Sequence, residues 1–148
     1  MIEHVERMRV AWVDTDASGL IHYTAPLRWF EVAEHALMRR LFGNQALPSE
    51  RTFLLPRVHV EADYKAALRY PDEFECAARV AAVGRSSVTY TYTVRRTDGV
   101  VAVVGRIVAA AVDFGGKSIP LPPELRAAFS AALEPDRTCG GSSRGSTR

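Results

Sequence analysis

Cysteine is nearly absent from this chain. Of 148 residues only two are cysteine: Cys76 in an alternating apolar stretch and Cys139 in a polar tail. A structural disulfide is therefore not expected, and a reducing cytoplasm is the expected setting. No apolar run is long enough for a bilayer, and the opening MIEHVERMRV lacks a signal-peptide profile, so no membrane partner is expected. Charge of one sign is missing as well. The formal net charge of +2 is too small to imply nucleic acid, though it would not repel an anionic ligand. The four histidines are scattered, and EVAEH at 31–35 lacks the spacing of a zinc-protease helix. No metal and no resident cofactor are expected. A G-x-S-x-G elbow, a phosphate loop and internal repeats are all absent.

What is present is organised around one stretch, VDTDASGLIHYTAPLRWFEVAEHALMRRLFG, from Val13 to Gly43. It reads as a short acidic loop emptying into the only long helix of the chain. Thr24 can cap the helix start, Pro26 suits its first turn and Gly43 lies just past its end. Leu27, Phe30, Ala33, Leu37, Met38 and Leu41 fall on one broad face at helical spacing. At 1.5 Å per residue such a helix is on the order of 25 Å long, a match for the strands that follow.

Those strands are read from alternation. Residues 4–12 form a first strand with Met8, Val10 and Trp12 on one side. Residues 44–51 make a polar loop. In 57–65, Val58, Val60, Ala62 and Tyr64 alternate with His59, Glu61, Asp63 and Lys65, the pattern of a half-solvated antiparallel strand. A turn at 69–72 leads to a strand over 73–83, and Gly84-Arg85-Ser86 separates it from a strand through Val88, Tyr90, Tyr92 and Val94. Asp98-Gly99 signals a hairpin, and 100–113 is apolar on both faces, as an interior strand should be. A short helix at 122–133 packs through Leu125, Phe129 and Leu133. Residues 1–134 are expected to fold as one domain, and the Gly/Ser/Arg-rich 135–148 to be a disordered tail.

The order is strand, long helix, then four strands. This predicts an α+β fold in which a curled antiparallel sheet of about five strands wraps one central helix. The 57–65 strand is the expected open edge, and an open edge invites a second chain.

The acidic loop carries the chemistry. A helix N-terminus offers unpaired N–H groups and partial positive charge, which suit a developing oxyanion. Asp14 and Asp16 lie just upstream, and Gly19 permits a sharp turn, so a carboxylate could sit beside a carbonyl pinned at the helix start. The same two aspartates also fit a plain role as turn residues and dipole partners. Glu34 falls within the apolar arc, where a charge needs a partner or a site. Glu31 lies at the arc's edge and could pair with His35 one turn on. The alternating strand face holding Cys76 is the usual place of an inert thiol. The aromatics Trp12, Tyr23, Trp29, Phe30 and Tyr64 could line a pocket or form core.

DTDASGLIHYTAPLRWFE, with ADYKAALRYPDEFE, VGRSSVTYTYTV and PLPPELRAAF, resembles the 4-hydroxybenzoyl-CoA thioesterase-like branch of the hot-dog acyl-CoA thioesterases, from about Arg7 to Phe129. The resemblance implies a hot-dog fold and hydrolysis of an acyl thioester carried on coenzyme A or an acyl-carrier protein. In that family the second Asp of a D-x-D pair is the catalytic carboxylate, here Asp16. In the aromatic-CoA members the position seven residues on, here Tyr23, supplies a backbone N–H to the thioester carbonyl; Gly19 and Thr24 beside it are assigned to substrate binding. Members of the branch associated with the cell envelope usually carry His at that position. Here the histidine is one place earlier, His22, where it could orient water or substrate or be a simple loop residue. Glu31 matches a usually acidic position and is assigned a supporting part. Arg85, Ser86 and Ser87 lie where the family tends to bind the CoA nucleotide or pantetheine, although the segment also reads as an ordinary turn. The resemblance further implies a homodimer, or a homotetramer of two dimers, with sites between subunits. A non-catalytic acyl-thioester-binding protein and a hot-dog dehydratase or hydratase remain the alternatives.

Overall fold

A computed structural model describes residues 1–43 and 51–133; the 44–50 part of the polar loop and the 134–148 tail lie outside the described residues. The elements run β1 (Glu3–Arg9), α1 (Ala25–Phe42), β2 (Arg57–Tyr64), β3 (Glu73–Val83), β4 (Ser87–Arg96), β5 (Val101–Ala110) and α2 (Pro123–Leu133), with a 3-10 turn at Trp12–Asp14. The strands form one antiparallel sheet in the order β1-β3-β4-β5-β2. Three strands, β3 to β5, follow one another as hairpins, as expected. β2 does not lie beside β3: it crosses to the far side of β5, pairing Tyr64 with Val103 and Arg57 with Ala109.

The long helix has the expected limits but a rotated face. Trp29, Phe30, Ala33, Leu37 and Met38 are buried, whereas Leu27 is exposed and Leu41 only partly covered. Trp29 stacks at a tilt on Phe74, ring centroids 4.3 Å apart, so the larger aromatic surface takes the inward direction. Each such side chain contributes about 1.5–3 kcal/mol on burial. Thr24 occupies the capping position, but its side chain bonds no helix N–H. Instead its hydroxyl meets His22 Nδ1 at 2.7 Å, and its own N–H donates to the same nitrogen at 3.2 Å. The first strand is also shorter than expected. Val10 enters the core, while Trp12 leaves the strand for the 3-10 turn and is exposed.

Helix α1 packs mainly on β1, β3 and β4, and β2, which meets it at the Arg57–Glu34 pair, lies mostly outside its cover. The consequence is that β2 is open on both faces instead of one: Val58 is 61%, Val60 46% and Tyr64 50% exposed. β2 is thus an edge strand, as expected, with Val58, Val60 and Tyr64 exposed along it. The other edge is β1.

Close packing between helix and sheet depends on Gly105. A Cβ there would lie 2.3 Å and 2.4 Å from Cε2 and Cζ of Phe30. That ring in turn stacks on Tyr92, centroids 4.5 Å apart and planes at 14°. Gly105→Ala should therefore destabilise the fold by about 1–3 kcal/mol through forced repacking. A lowered urea midpoint is the expected result, and a midpoint at or above that of the wild type would contradict this packing.

Candidate active site

The acidic loop folds as a tight hairpin. Thr15 bridges Ile21, the Asp16 N–H donates to Leu20 O at 3.1 Å, and the Gly19 N–H donates to Asp16 O at 3.0 Å. Gly19 turns the chain at φ 80°, a conformation that strains any residue with a Cβ. The His22 N–H donates to Asp14 O at 2.6 Å, and Ile21 and Leu20 are tied to Leu68 and Arg69. This anchors the hairpin where β1 ends and β3 begins.

The two aspartates have opposite surroundings. Asp14 is 3% exposed: one carboxylate oxygen accepts from the Ala11 N–H at 2.8 Å and the other pairs with Arg28. It braces the 3-10 turn against α1. Asp16 is exposed, and its Oδ1 accepts from both the N–H (2.8 Å) and the hydroxyl of Ser18. No described residue donates to its Oδ2. The Ser18 hydroxyl, then the Ser18 N–H, hold the Asp16 carboxyl below its ordinary range, with a smaller contribution from His22. Asp16 is accordingly a carboxylate at any ordinary pH. If that carboxylate is the working form, activity persists above its lowered pKa and is lost as pH falls through it. Ser18→Ala removes the largest cause and should move the acid limb of kcat/KM upward, toward the ordinary aspartate range near pH 4. An unmoved limb would separate Asp16 from the pH profile.

The helix start is nearly saturated. The Thr24 N–H goes to His22 Nδ1, the Ala25 N–H to His22 O at 3.0 Å, the Leu27 N–H to Thr24 O at 3.1 Å, and Pro26 has none to give. Among the described residues, none accepts from the Tyr23 N–H. The Tyr23 carbonyl accepts from the Tyr64 hydroxyl. Because His22 Nδ1 accepts from the Thr24 N–H, the neutral ring carries its proton on Nε2. The ring stacks on Tyr23, centroids 4.4 Å apart.

The structure thus brings Asp16, Gly19, His22, Tyr23 and Thr24 together around one hairpin. It does not bring Arg85, Ser86 and Ser87 to them. Their connection lies at the other end of β3, held by the Leu121 N–H to Arg85 O (2.9 Å) and by Arg126 to Gly84 O (2.8 Å). β3 has 11 residues, so within one chain the two groups are about 30 Å apart. Glu31 is exposed on α1. Glu34 has the partner its position demands. It is 2% exposed, accepts from the Tyr92 hydroxyl at 2.8 Å and pairs with Arg57; burial pushes the Tyr92 phenol up, so it remains a donor. A cavity of about 230 Å³ lies beside this pair, lined by Met38, Phe53, Leu54 and Tyr90 among others. The aromatic set divides: Trp29 and Phe30 are core, whereas Trp12, Tyr23 and Tyr64 are exposed. Cys76 is fully buried and its thiol is pushed up to about 12 by burial, which makes it inert.

Sequence reasoning passed over Ser18, Arg28 and the phenol of Tyr64. Ser18 had a signal, since Asp-x-Ser before a glycine is a side-chain-stabilised turn. Arg28 and Tyr64 reach their partners across 14 and 41 residues, and no local pattern marks such contacts.

A curled five-stranded antiparallel sheet around one long helix is the hot-dog architecture. Solved structures share it. The chain superposes on a DHNA-CoA thioesterase from Staphylococcus aureus with TM-score 0.80 and 22% identity, over 88% of this chain and 91% of that one. It also superposes on a 1,4-dihydroxy-2-naphthoyl-CoA thioesterase from Synechocystis with TM-score 0.80 and 18% identity, over 90% and 99%. In sequence it is 27% identical to the acyl-CoA thioesterase YbgC of Haemophilus influenzae, over 82% of this chain and 90% of that protein. The acyl-CoA thioester hydrolase YbgC of Escherichia coli is 26% identical over 82% and 92%. The thioesterase superfamily model matches residues 18–103, and the chain belongs to that superfamily. No described helix is long and apolar enough to cross a membrane.

Proposed function

We propose that the protein hydrolyses an acyl-CoA thioester at the 14–24 hairpin, with Asp16 as the catalytic carboxylate. The observation that carries this reading is a pairing. An ionised, exposed Asp16 with one unengaged oxygen and a Tyr23 N–H without an acceptor among the described residues flank the same helix start. The first can attack the thioester carbon or take a proton from water. The second, backed by the helix dipole, can hold the oxygen that becomes negative. Collapse of the tetrahedral species expels the CoA thiolate. If Asp16 attacks, an anhydride forms and water then cleaves it. If Asp16 is the base, water enters directly, and both routes yield the free acid and the thiol. His22 orients the helix start, and Glu31 supports the acyl group from the next turns of α1. The names of the YbgC relatives support coenzyme A as the carrier, and an acyl-carrier protein is the second substrate to try. A cytoplasmic setting fits a chain with only two cysteines.

The site is completed by a second copy. β2 is an open edge with one apolar face; its Tyr64 end touches Tyr23, while its Arg57 end lies on the side of the 84–87 connection, where Ser87 pairs with Ala110. Antiparallel pairing of β2 with its two-fold mate brings the Arg57 end of one chain to the Tyr64 end of the other. That places Arg85, Ser86 and Ser87 of the partner subunit on the side of Asp16, to meet the CoA phosphates. A homodimer is the smallest active unit, and a tetramer of two dimers is compatible with it.

Thiol release from a panel of aromatic and aliphatic acyl-CoAs, with an acyl-carrier-protein thioester alongside, tests the reading. Turnover of at least one acyl-CoA class is expected. Binding of acyl-CoAs with no thiol release would instead favour the non-catalytic alternative.

A further inference from the structure

We propose that Tyr64 is a positioning residue for the oxyanion donor: its phenol, from the end of β2, fixes the peptide that follows Tyr23 and thereby aims the Tyr23 N–H. This rests on the reading of that N–H as the donor.

The argument starts from the peptide planes on either side of Tyr23. The Tyr23–Thr24 peptide is held at both ends. Its carbonyl accepts from the Tyr64 hydroxyl, and its N–H donates to His22 Nδ1 at 3.2 Å. The His22–Tyr23 peptide is held at one end only, by the Ala25 N–H donating to His22 O at 3.0 Å. A trans peptide points its N–H opposite its C=O, so a carbonyl turned in toward the helix leaves the Tyr23 N–H turned out. With both planes fixed, the donor has little freedom to swing. An oxyanion donor is effective in proportion to such prior orientation, because reorientation during the reaction costs part of the stabilisation. Tyr64 is suited to the task. Its phenol is a proton donor at neutral pH, and partial burial, then Tyr23, raise its pKa further. It also belongs to the strand offered for subunit pairing. Assembly and the catalytic donor are thus joined by one side chain, and 41 residues of sequence separate the two partners.

Tyr64→Phe keeps the ring and deletes the hydroxyl. In this variant kcat should fall about ten-fold while KM stays within about two-fold, the signature of an interaction that matters in the transition state. The acid limb of the pH profile should not move, since Asp16 keeps Ser18. Circular dichroism and sedimentation should match the wild type. A second readout does not depend on activity. With the tyrosine amides labelled by 15N, the Tyr23 amide should lose order in Tyr64→Phe. Undiminished order at Tyr23, or kcat within two-fold of wild type in a thioesterase that needs Asp16, would overturn the proposal. A wild-type protein that cleaves no thioester would sink the proposed function, and the amide measurement would still decide the role of Tyr64.

Discussion

Asp16→Asn is expected to lose about 10² or more in turnover with the fold intact, the usual scale for a group that takes a proton or attacks. The substitution keeps the shape of the side chain and can retain an oxygen toward Ser18, so the hairpin should survive. What it removes is the charge and basicity of Oδ2, the oxygen no described residue engages. Asp14 provides the contrast. Its carboxylate is buried and committed to Arg28 and the Ala11 N–H, so its loss should appear first as lowered stability. Turnover within a factor of two of wild type in folded Asp16→Asn would remove Asp16 from the mechanism. A dead Asp14→Asn beside an active Asp16→Asn would reverse the pair.

Arg57→Leu should be among the most damaging single changes to stability. Glu34 is 2% exposed and answers to two groups, Arg57 and the Tyr92 hydroxyl. Deleting the guanidinium leaves a carboxylate in the helix–sheet core with one neutral donor. Stranding a buried charge in this way costs about 3–5 kcal/mol, and the partial exposure of Arg57 favours the lower figure. The matching neutral variant tells stranded charge from lost packing. Arg57→Leu combined with Glu34→Gln should be more stable than Arg57→Leu alone, because no charge is left behind. Urea unfolding of both would check it. A single variant within about 1 kcal/mol of wild type, or a double variant worse than the single, would contradict the account.

Most of the architecture was legible because its signals are local. Strict alternation marked β3 and β4, Asp98-Gly99 marked the hairpin, and Gly43 ended α1. The errors came where a distant contact overrode a local preference. Thr24 has the chemistry of a cap, yet the nitrogen of His22 was the nearer partner for its hydroxyl. Leu27 has helical spacing, yet Trp29 took the inward direction against Phe74. β2 alternates like a half-covered strand, but α1 lies mainly over other strands, so its apolar face is left exposed. The candidate site divides the same way. Asp16, Gly19 and Tyr23 were nominated from one contiguous motif. The 84–87 connection was named as part of the same site, although one chain keeps it a strand's length away.

Subunit complementation tests the shared site most directly. Asp16→Asn and Arg85→Glu would each be nearly inactive as pure dimers, the first in chemistry and the second in holding CoA. Co-assembled in equal amounts, half the dimers are mixed, and in each mixed dimer one site pairs an intact Asp16 with an intact 84–87 connection. Recovery of about a quarter of wild-type thiol release is expected for a two-fold assembly of this kind. Activity no higher than the mean of the two pure variants, with mixed dimers shown to be present, would place the whole site within one chain and contradict the account.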